Sequence, residues 1–281
     1  RVLGVDVSKW QGEMDWLQAA RQGVWFAFIK ATQGINIVDP QFRRNWEQSR
    51  GLVLRGAYHF YDTAYDPVAQ ADFFVRALPP HDRGELPMVL DLERGRTTWA
   101  HVQRFMDRVQ ALDGRVPILY TSPGYIAALG PPPKPWPLWI AHYDVPAPSV
   151  PRGWDRWTFW QYSATGPGAQ YGAKSKYIDL NVFNGSLEDL ISFIGMDWGR
   201  AAWWRCGRLE RVGGTAPAPE PTGERRVVTA YRLRVRSGPG TQYAIVGILT
   251  RGEIVTVYET RNGWGRIGKD RWISLYYTEP A

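Results

Sequence analysis

Pro87-Met88-Val89-Leu90-Asp91-Leu92-Glu93 is the stretch from which the fold is read. Four apolar or β-favouring residues run into two carboxylates separated by one leucine, and the chain then turns basic at Arg94 and loosens at Gly95. That is the pattern of a buried strand that ends in a polar site. Alternate strand residues share a face, so Asp91 and Glu93 project together while Leu90 and Leu92 face the opposite layer. Two carboxyl groups crowded at the end of a buried strand repel each other, and one is pushed toward keeping its proton near neutral pH. A protonated acid beside an ionised one is what cleavage of a glycosidic bond requires. Taken alone, D-x-E is more often a solvated strand end, so the flanking chain has to decide.

On both sides of this stretch β-favouring runs alternate with helical patterns. Leu3–Ser8, Phe26–Thr32, Leu54–Tyr61 and Met88–Glu93 read as strands, and Asp15–Gln22, Gln41–Ser49, Pro67–Leu78 and Trp99–Leu112 as helices between and after them. This alternation predicts parallel β/α units. Four more strands follow at Pro117–Ser122, Pro137–Tyr143, Trp157–Ser163 and Tyr177–Phe183, joined by Pro-rich and Gly-rich segments, with Leu187–Ile194 the one helical stretch after the eighth. The expected fold is an α/β, modified (β/α) barrel with reduced helices in its second half. Such barrels carry their chemistry at the C-terminal ends of the strands, which singles out Asp6, Tyr58, Asp91, Glu93, Tyr120, Gln161 and Asp179.

Residues 196–223 break the pattern. Trp198, Trp203, Trp204 and Cys206 sit among arginines with no clear period, and an Ala-Pro spacer follows. This segment is expected to be a linker, with its tryptophans either packed on the barrel or docking the tail. From Val227 onward short strands recur between turns such as Ser237-Gly238-Pro239-Gly240 and Asn262-Gly263, as in a small all-β barrel. The expected domains are thus 1–195, a linker over 196–223, and 224–281.

Composition narrows the function classes. The chain has 281 residues, 44% hydrophobic and 22% charged, ordinary for a globular protein, and no apolar run approaches the roughly 18 residues of a membrane span. It begins at Arg1 without an apolar leader, so any secretion signal is expected to have been removed or never present. The single Cys206 and the spacing of the four histidines give no metal pattern, and neither metal nor organic cofactor is expected. His59 and His142 lie among aromatics in strands and read as core histidines, and Cys206 as inert. Fifteen tryptophans serve either sugar stacking or a Trp-rich core. The net charge of +7 is uneven: residues 1–195 hold 20 basic and 19 acidic residues, and 224–281 hold 10 and 5. A basic tail on a neutral body suggests a docking module for an anionic surface such as cell wall, nucleic acid or membrane.

Taken together the motifs resemble glycoside hydrolase family 25, the Chalaropsis-type muramidases. The resemblance covers about residues 3–195, through Gly4-Val5-Asp6-Val7-Ser8 with Trp10-Gln11, Phe28-Ile29-Lys30-Ala31-Thr32, Gly56-Ala57-Tyr58-His59-Phe60, Leu90-Asp91-Leu92-Glu93, Leu138 to Tyr143, Trp160-Gln161-Tyr162 and Ile178-Asp179-Leu180-Asn181. Residues 227–277 resemble a bacterial SH3-type wall-binding domain, through Leu233 to Gly240 and Asn262-Gly263-Trp264. The resemblance implies hydrolysis, with retention, of the β-1,4 bond between N-acetylmuramic acid and N-acetylglucosamine in peptidoglycan. It implies Glu93 as general acid and base, and Asp91 as the ionised partner that stabilises positive charge on the sugar or on the substrate's own N-acetyl group. Asp6 and Asp179 would orient the sugar, and Tyr58, Tyr120, Trp139 and Gln161 would contact it. The implied setting is peptidoglycan outside the cell, reached by secretion or as a phage-encoded endolysin, by a monomer with no nucleic-acid partner and no membrane insertion. Two rivals are a silent glycan-binding wall protein and a chitinase-like hydrolase. The latter expects D-x-x-D-x-D-x-E, whose two earlier aspartates are here Leu86 and Val89.

Overall fold

The computed structural model describes residues 1–213, 224–268 and 270–280. The chain divides into two compact units, Arg1–Gly214 and Thr215–Ala281. In the first, eight strands close into a barrel: β1 (Val2–Val7), β2 (Phe26–Gln33), β4 (Leu54–Phe60), β5 (Val89–Asp91), β6 (Ile118–Thr121), β7 (Leu138–Ala141), β8 (Phe159–Pro167) and β9 (Tyr177–Phe183), with β3 (Ile37–Val38) an appendage on β2. Strands β1 to β8 of the barrel run parallel. The last does not: β9 is antiparallel to both β8 and β1. This departs from a barrel of parallel units, and it decides where Asp179 lies.

Strand alternation sorts the core into two layers. Phe26, Phe28, Val89, Trp139 and Phe159 fill the barrel interior, while Ala27, Ile29, Leu90 and Ile140 meet the surrounding helices. Phe28 stacks on Trp139 at 4.3 Å and meets Phe159 edge-on at 5.1 Å. Gly4 and Gly56 leave room for these rings, since a Cβ would fall 2.3 Å from the Phe26 ring and 2.7 Å from Phe28. Bulk low in the barrel leaves polar side chains to its mouth.

Helices α1 (Trp16–Arg21), α2 (Phe42–Gln48), α3 (Pro67–Ala77) and α4 (Trp99–Asp113) follow the first strands. Their starts are written in the sequence: Asp15, Asp66 and Thr98 accept from backbone N–H groups of the first turn, and Pro67 opens α3. A short helix not expected from the sequence, α5 (Pro123–Leu129), follows β6, and α6 (Leu187–Phe193) follows β9.

The expected linker is overturned in its first half. Trp198–Arg211 is a 14-residue helix, α7, with Asp197 as its N-cap. It packs on the barrel through Ala201, Trp204 and Arg208, which are buried at i, i+3 and i+7. A helical stripe was present, but its third member is an arginine. Arg208 donates to the carbonyls of Leu52, Ala20 and Val24 at 2.7, 3.0 and 2.6 Å, and lies 3.8 Å over the Trp25 ring. Trp203 is exposed. The Trp198 side chain and residues 214–223 lie outside the described residues.

The second unit holds two small antiparallel sheets. One has the order β13 (Ile254–Val257), β10 (Glu224–Val228), β17 (Thr278–Pro280). The other has the order β12 (Ile245–Thr250), β11 (Arg232–Arg236), β16 (Arg271–Ser274), β15 (Trp264–Gly268), β14 (Glu259–Arg261). Val228, Leu233, Val235, Leu249 and Ile273 form the core, as in an SH3-like barrel.

Candidate active site

The eight residues singled out from the sequence, Asp6, Tyr58, Asp91, Glu93, Tyr120, Trp139, Gln161 and Asp179, line one cavity of about 460 Å³ at the barrel mouth. Five of them come from the C-terminal ends of parallel strands or just beyond, Trp139 is the second residue of β7, and Gln161 is the last residue of β8 that pairs in parallel with β7. Asp179 arrives differently. It is the third residue of β9, and because β9 runs the other way it lies opposite Asp6 in register. Two carboxylates on adjacent strands thus line the same cavity as the pair at the end of β5.

Asp6 is the most firmly held. Its Oδ1 accepts from Gln161 Nε2 at 2.7 Å and from Asn181 Nδ2 at 2.8 Å. Those amides are fixed in turn: Gln161 Oε1 accepts from the hydroxyls of Tyr120 and Tyr143 at 2.7 and 2.5 Å, and Asn181 Oδ1 accepts from the Trp139 indole at 2.8 Å. Burial raises Asp6 to about 6, opposed by the two amide hydrogen bonds and helped by the charge of Glu93. Asp179 has no such donors among the described residues and is pushed up to about 8, by burial first and then by Asp6 and Glu93.

Asp91 is buried, and its Oδ1 has no hydrogen-bond partner among the described residues. Desolvation lifts it well above the ordinary carboxylate range, the charge of Glu93 adds to the rise, and Lys30 opposes it. Glu93, just past the strand, is the most open of the four. Desolvation raises it too, against Arg94 and Lys30. Both members of the pair therefore hold protons more tightly than free carboxyls, as two desolvated like charges must.

A second cavity, of about 370 Å³, adjoins the first. Its wall includes Ser122, Gly124, Ala141 and His142, and it shares Glu93, Tyr120 and Tyr143 with the large one. Of the four acids only Glu93 lines both.

Several site residues escaped the sequence reading. Asn181 follows Asp179 by two and so shares its face, a signal that alternation alone offers. Tyr143 continues the Trp139 and Ala141 face beyond β7 in the same way. Lys30, Arg94, Lys9 and Trp10 also line the large cavity. The histidines divide. His59 is buried against Phe74 and Phe105, in contact with Thr32 Oγ1 at 2.8 Å and Gln70 Oε1 at 3.1 Å, and burial lowers it to about 3, so it is a neutral core residue. His142 is not in the core: it is partly exposed on the wall of the second cavity, where Nδ1 accepts from Ser149 N at 3.0 Å. Cys206 is a free thiol on α7, on an element that contributes nothing to either cavity.

A closed β/α barrel with four carboxyl groups of raised pKa around an open groove has the architecture of a glycoside hydrolase. The comparisons give the family. Residues 5–170 match the model of glycosyl hydrolases family 25, and residues 232–279 that of a bacterial SH3 domain. The chain is 36% identical to lysozyme M1 of Streptomyces globisporus over 68% of this chain and 70% of that one. It is 30% identical to the N,O-diacetylmuramidase of a Chalaropsis species, over 67% and 97%. Among solved structures, a family 25 glycosyl hydrolase from Bacillus anthracis superposes with a TM-score of 0.62 at 31% identity, over 69% of this chain and 93% of that one. The bacterial lysozyme from Streptomyces coelicolor gives 0.59 at 34%, over 69% and 96%. The chain belongs to glycosyl hydrolases family 25, a glycoside hydrolase of the lysozyme and muramidase group that carries a bacterial SH3 domain.

Proposed function

We propose that this chain cleaves the β-1,4 bond between N-acetylmuramic acid and N-acetylglucosamine in peptidoglycan, with retention, using Glu93 as general acid and then general base. The observation that carries the assignment is that Glu93 alone among the four acids lines both cavities. A bond to be cut lies where one sugar's space meets the next, and the acid that protonates its oxygen has to stand at that boundary. The cavity holding Asp6, Asp91 and Asp179 then receives the sugar that develops positive charge, and the one lined by Ser122, Gly124 and His142 receives the leaving sugar.

Asp91 is suited to the first of these sugars. Its buried Oδ1 is an acceptor awaiting a donor, and the N–H of a 2-acetamido group is one. As the acetamido oxygen attacks C1, the proton of Glu93 passes to the departing O4, and positive charge spreads over the ring closed on the sugar. That charge and the N–H bond favour ionised Asp91. Water then attacks C1 as Glu93 takes its proton, which restores the acetamido group and the acid and leaves the configuration retained. The alternative, direct attack by Asp91 on C1, would leave a covalent sugar–enzyme ester.

Action on a wall polymer places the enzyme's work outside the cytoplasm, in a secreted protein or an endolysin, with the SH3 domain raising the local concentration of substrate. The test is purified peptidoglycan digested by wild type and by Glu93→Gln, with mass spectrometry of the products. Fragments ending in reducing N-acetylmuramic acid, reduced by about 100-fold or more in the variant as for loss of a general acid, are the expected result. Binding without fragments would reduce the barrel to a lectin, and equal digestion of chitin would make it a chitinase.

A further inference from the structure

The excess charge of the tail is gathered on one face. In β11, Arg232, Arg234 and Arg236 alternate with Leu233 and Val235, which belong to the core, so all three arginines leave by the opposite side. Register carries that side across the sheet: Arg236 lies opposite Trp272, Trp272 opposite Arg266, and Arg266 opposite Glu259, with Arg261 two residues further on. Among the described residues this face therefore holds five arginines, Arg232, Arg234, Arg236, Arg261 and Arg266, and one acid, Glu259. Glu259 is shared by Arg261 and Arg266 at 2.5 and 3.0 Å. Glu253 stands at the edge, accepting from Thr250 N and Oγ1. Arg232 and Arg234 are exposed, and among the described residues neither has a carboxylate partner.

We propose that this arginine face of the SH3 domain binds a wall-borne polyol-phosphate polymer, of the teichoic type, rather than the glycan that the barrel cuts. Alternate residues of a strand recur about 7 Å apart, so Arg232 and Arg234 present two neighbouring charges to a chain whose own charges recur along its length, while Arg236 donates to the Thr241 and Tyr243 carbonyls. Guanidinium is the cation that meets phosphate oxygens with two parallel hydrogen bonds. Of the two tryptophans on this face Trp272 is buried, with the Arg261 guanidinium 5.8 Å from its ring centre, and Trp264, opposite Arg261, is partly buried, so beside Arg232 and Arg234 it is charge that the face exposes, next to Ile248. The choice of a wall polymer over other polyanions rests on the peptidoglycan reading of the barrel.

The full chain carrying Glu93→Gln, which spares the wall during binding, is sedimented with intact walls and with walls freed of phosphodiester polymer by hydrofluoric acid. The same is done with Arg232→Gln/Arg234→Gln added, and purified poly(glycerol phosphate) and single-stranded DNA of equal charge serve as competitors. Stripping the walls, or the double substitution, is expected to weaken retention by about tenfold at low salt, and the substitution to make the slope of log affinity on log salt shallower by about 1 to 2. Equal retention on stripped walls, or an unchanged double variant, overturns the proposal. Stronger competition by DNA assigns the face to nucleic acid and overturns it as well. Both arginines are exposed, and circular dichroism of the double variant checks that it folds. Hydrolysis of soluble glycan fragments by the wild-type chain is read separately, so failure of the enzymatic reading and failure of the binding face are told apart.

Discussion

Replacing Asp179 with Asn is expected to make the barrel more stable at neutral pH and less active. Asp179 is raised from 3.8 to about 8 in the folded chain, so the folded state holds a proton there that the unfolded state has released. Its contribution to stability is fully present below pH 3.8 and is lost as pH rises through 8. By pH 7 about three units have been crossed, which at about 1.4 kcal/mol each is about 4 kcal/mol for a lone group. Asp179 is partly open to the cavity, and part of its push comes from Asp6 and Glu93, which are themselves raised. A relief of about 1–3 kcal/mol is the working figure after that allowance. For a barrel of this size it corresponds to a rise in Tm of about 3–8 °C at pH 7, shrinking to near zero by pH 4. Thirteen of the fifteen tryptophans lie in 1–213, so their fluorescence follows the barrel through a thermal ramp. Activity on soluble fragments should fall about tenfold to a hundredfold through lost sugar orientation. A Tm difference that does not change between pH 4 and pH 7, or a variant less stable than wild type at pH 7, would mean that Asp179 does not destabilise the folded barrel by its charge.

His59, lowered from 6.5 to about 3, contributes stability that is whole above pH 6.5 and lost as pH falls toward 3; His59→Gln should flatten that acid limb in urea unfolding at pH 7 and pH 5, at a cost of about 1–2 kcal/mol from the repacked site. Arg208→Met leaves the Leu52 and Val24 carbonyls without this donor, Ala20 keeping the Gly23 N–H, and should lower stability by about 2–4 kcal/mol, while hydrolysis of soluble fragments at 25 °C stays near wild type. Removing 224–281 should weaken lysis of whole walls and spare soluble fragments, and equal loss on both would end the tethering account.

Much of the site was legible because strand alternation is strict. Once Pro87–Glu93 is read as a strand, the common face of Asp91 and Glu93 follows, and the barrel gathers the ends of its neighbours without further information. What stayed hidden depends on direction or on chemistry that hydrophobic pattern does not weigh. Nothing in Tyr177–Phe183 says that β9 runs against β1, so the facing of Asp179 and Asp6 had to come from the closed sheet. The stripe of α7 reads as Ala, Trp, Arg, and a count of apolar positions passes over a helix whose deepest anchor is a guanidinium on three carbonyls. His142, which shares its aromatic strand setting with His59, differs only in lying at the mouth rather than in the wall.

The antiparallel turn of β9 also explains why the mouth can hold four acids at once. A strand entering from the other end of the barrel contributes its first residues to the mouth, so Asp179 and Asn181 reach the site together, one as an acid and the other as a donor to Asp6. With Gln161 on the other side, that donor keeps Asp6 near 6 while Asp179, which lacks one among the described residues, rises to about 8. As pH rises Asp6 therefore ionises before Asp179, which keeps its proton longer. Asp91 and Glu93 are both raised by desolvation, with Lys30 and Arg94 as the cations that oppose the rise. Asn181→Asp would remove the donor and add a fifth acid: Asp6 and Asp179 should both rise, the alkaline limb of activity should shift, and the barrel should lose stability most at high pH. An unchanged pH profile in that variant would show that the amide does not set the balance among the four.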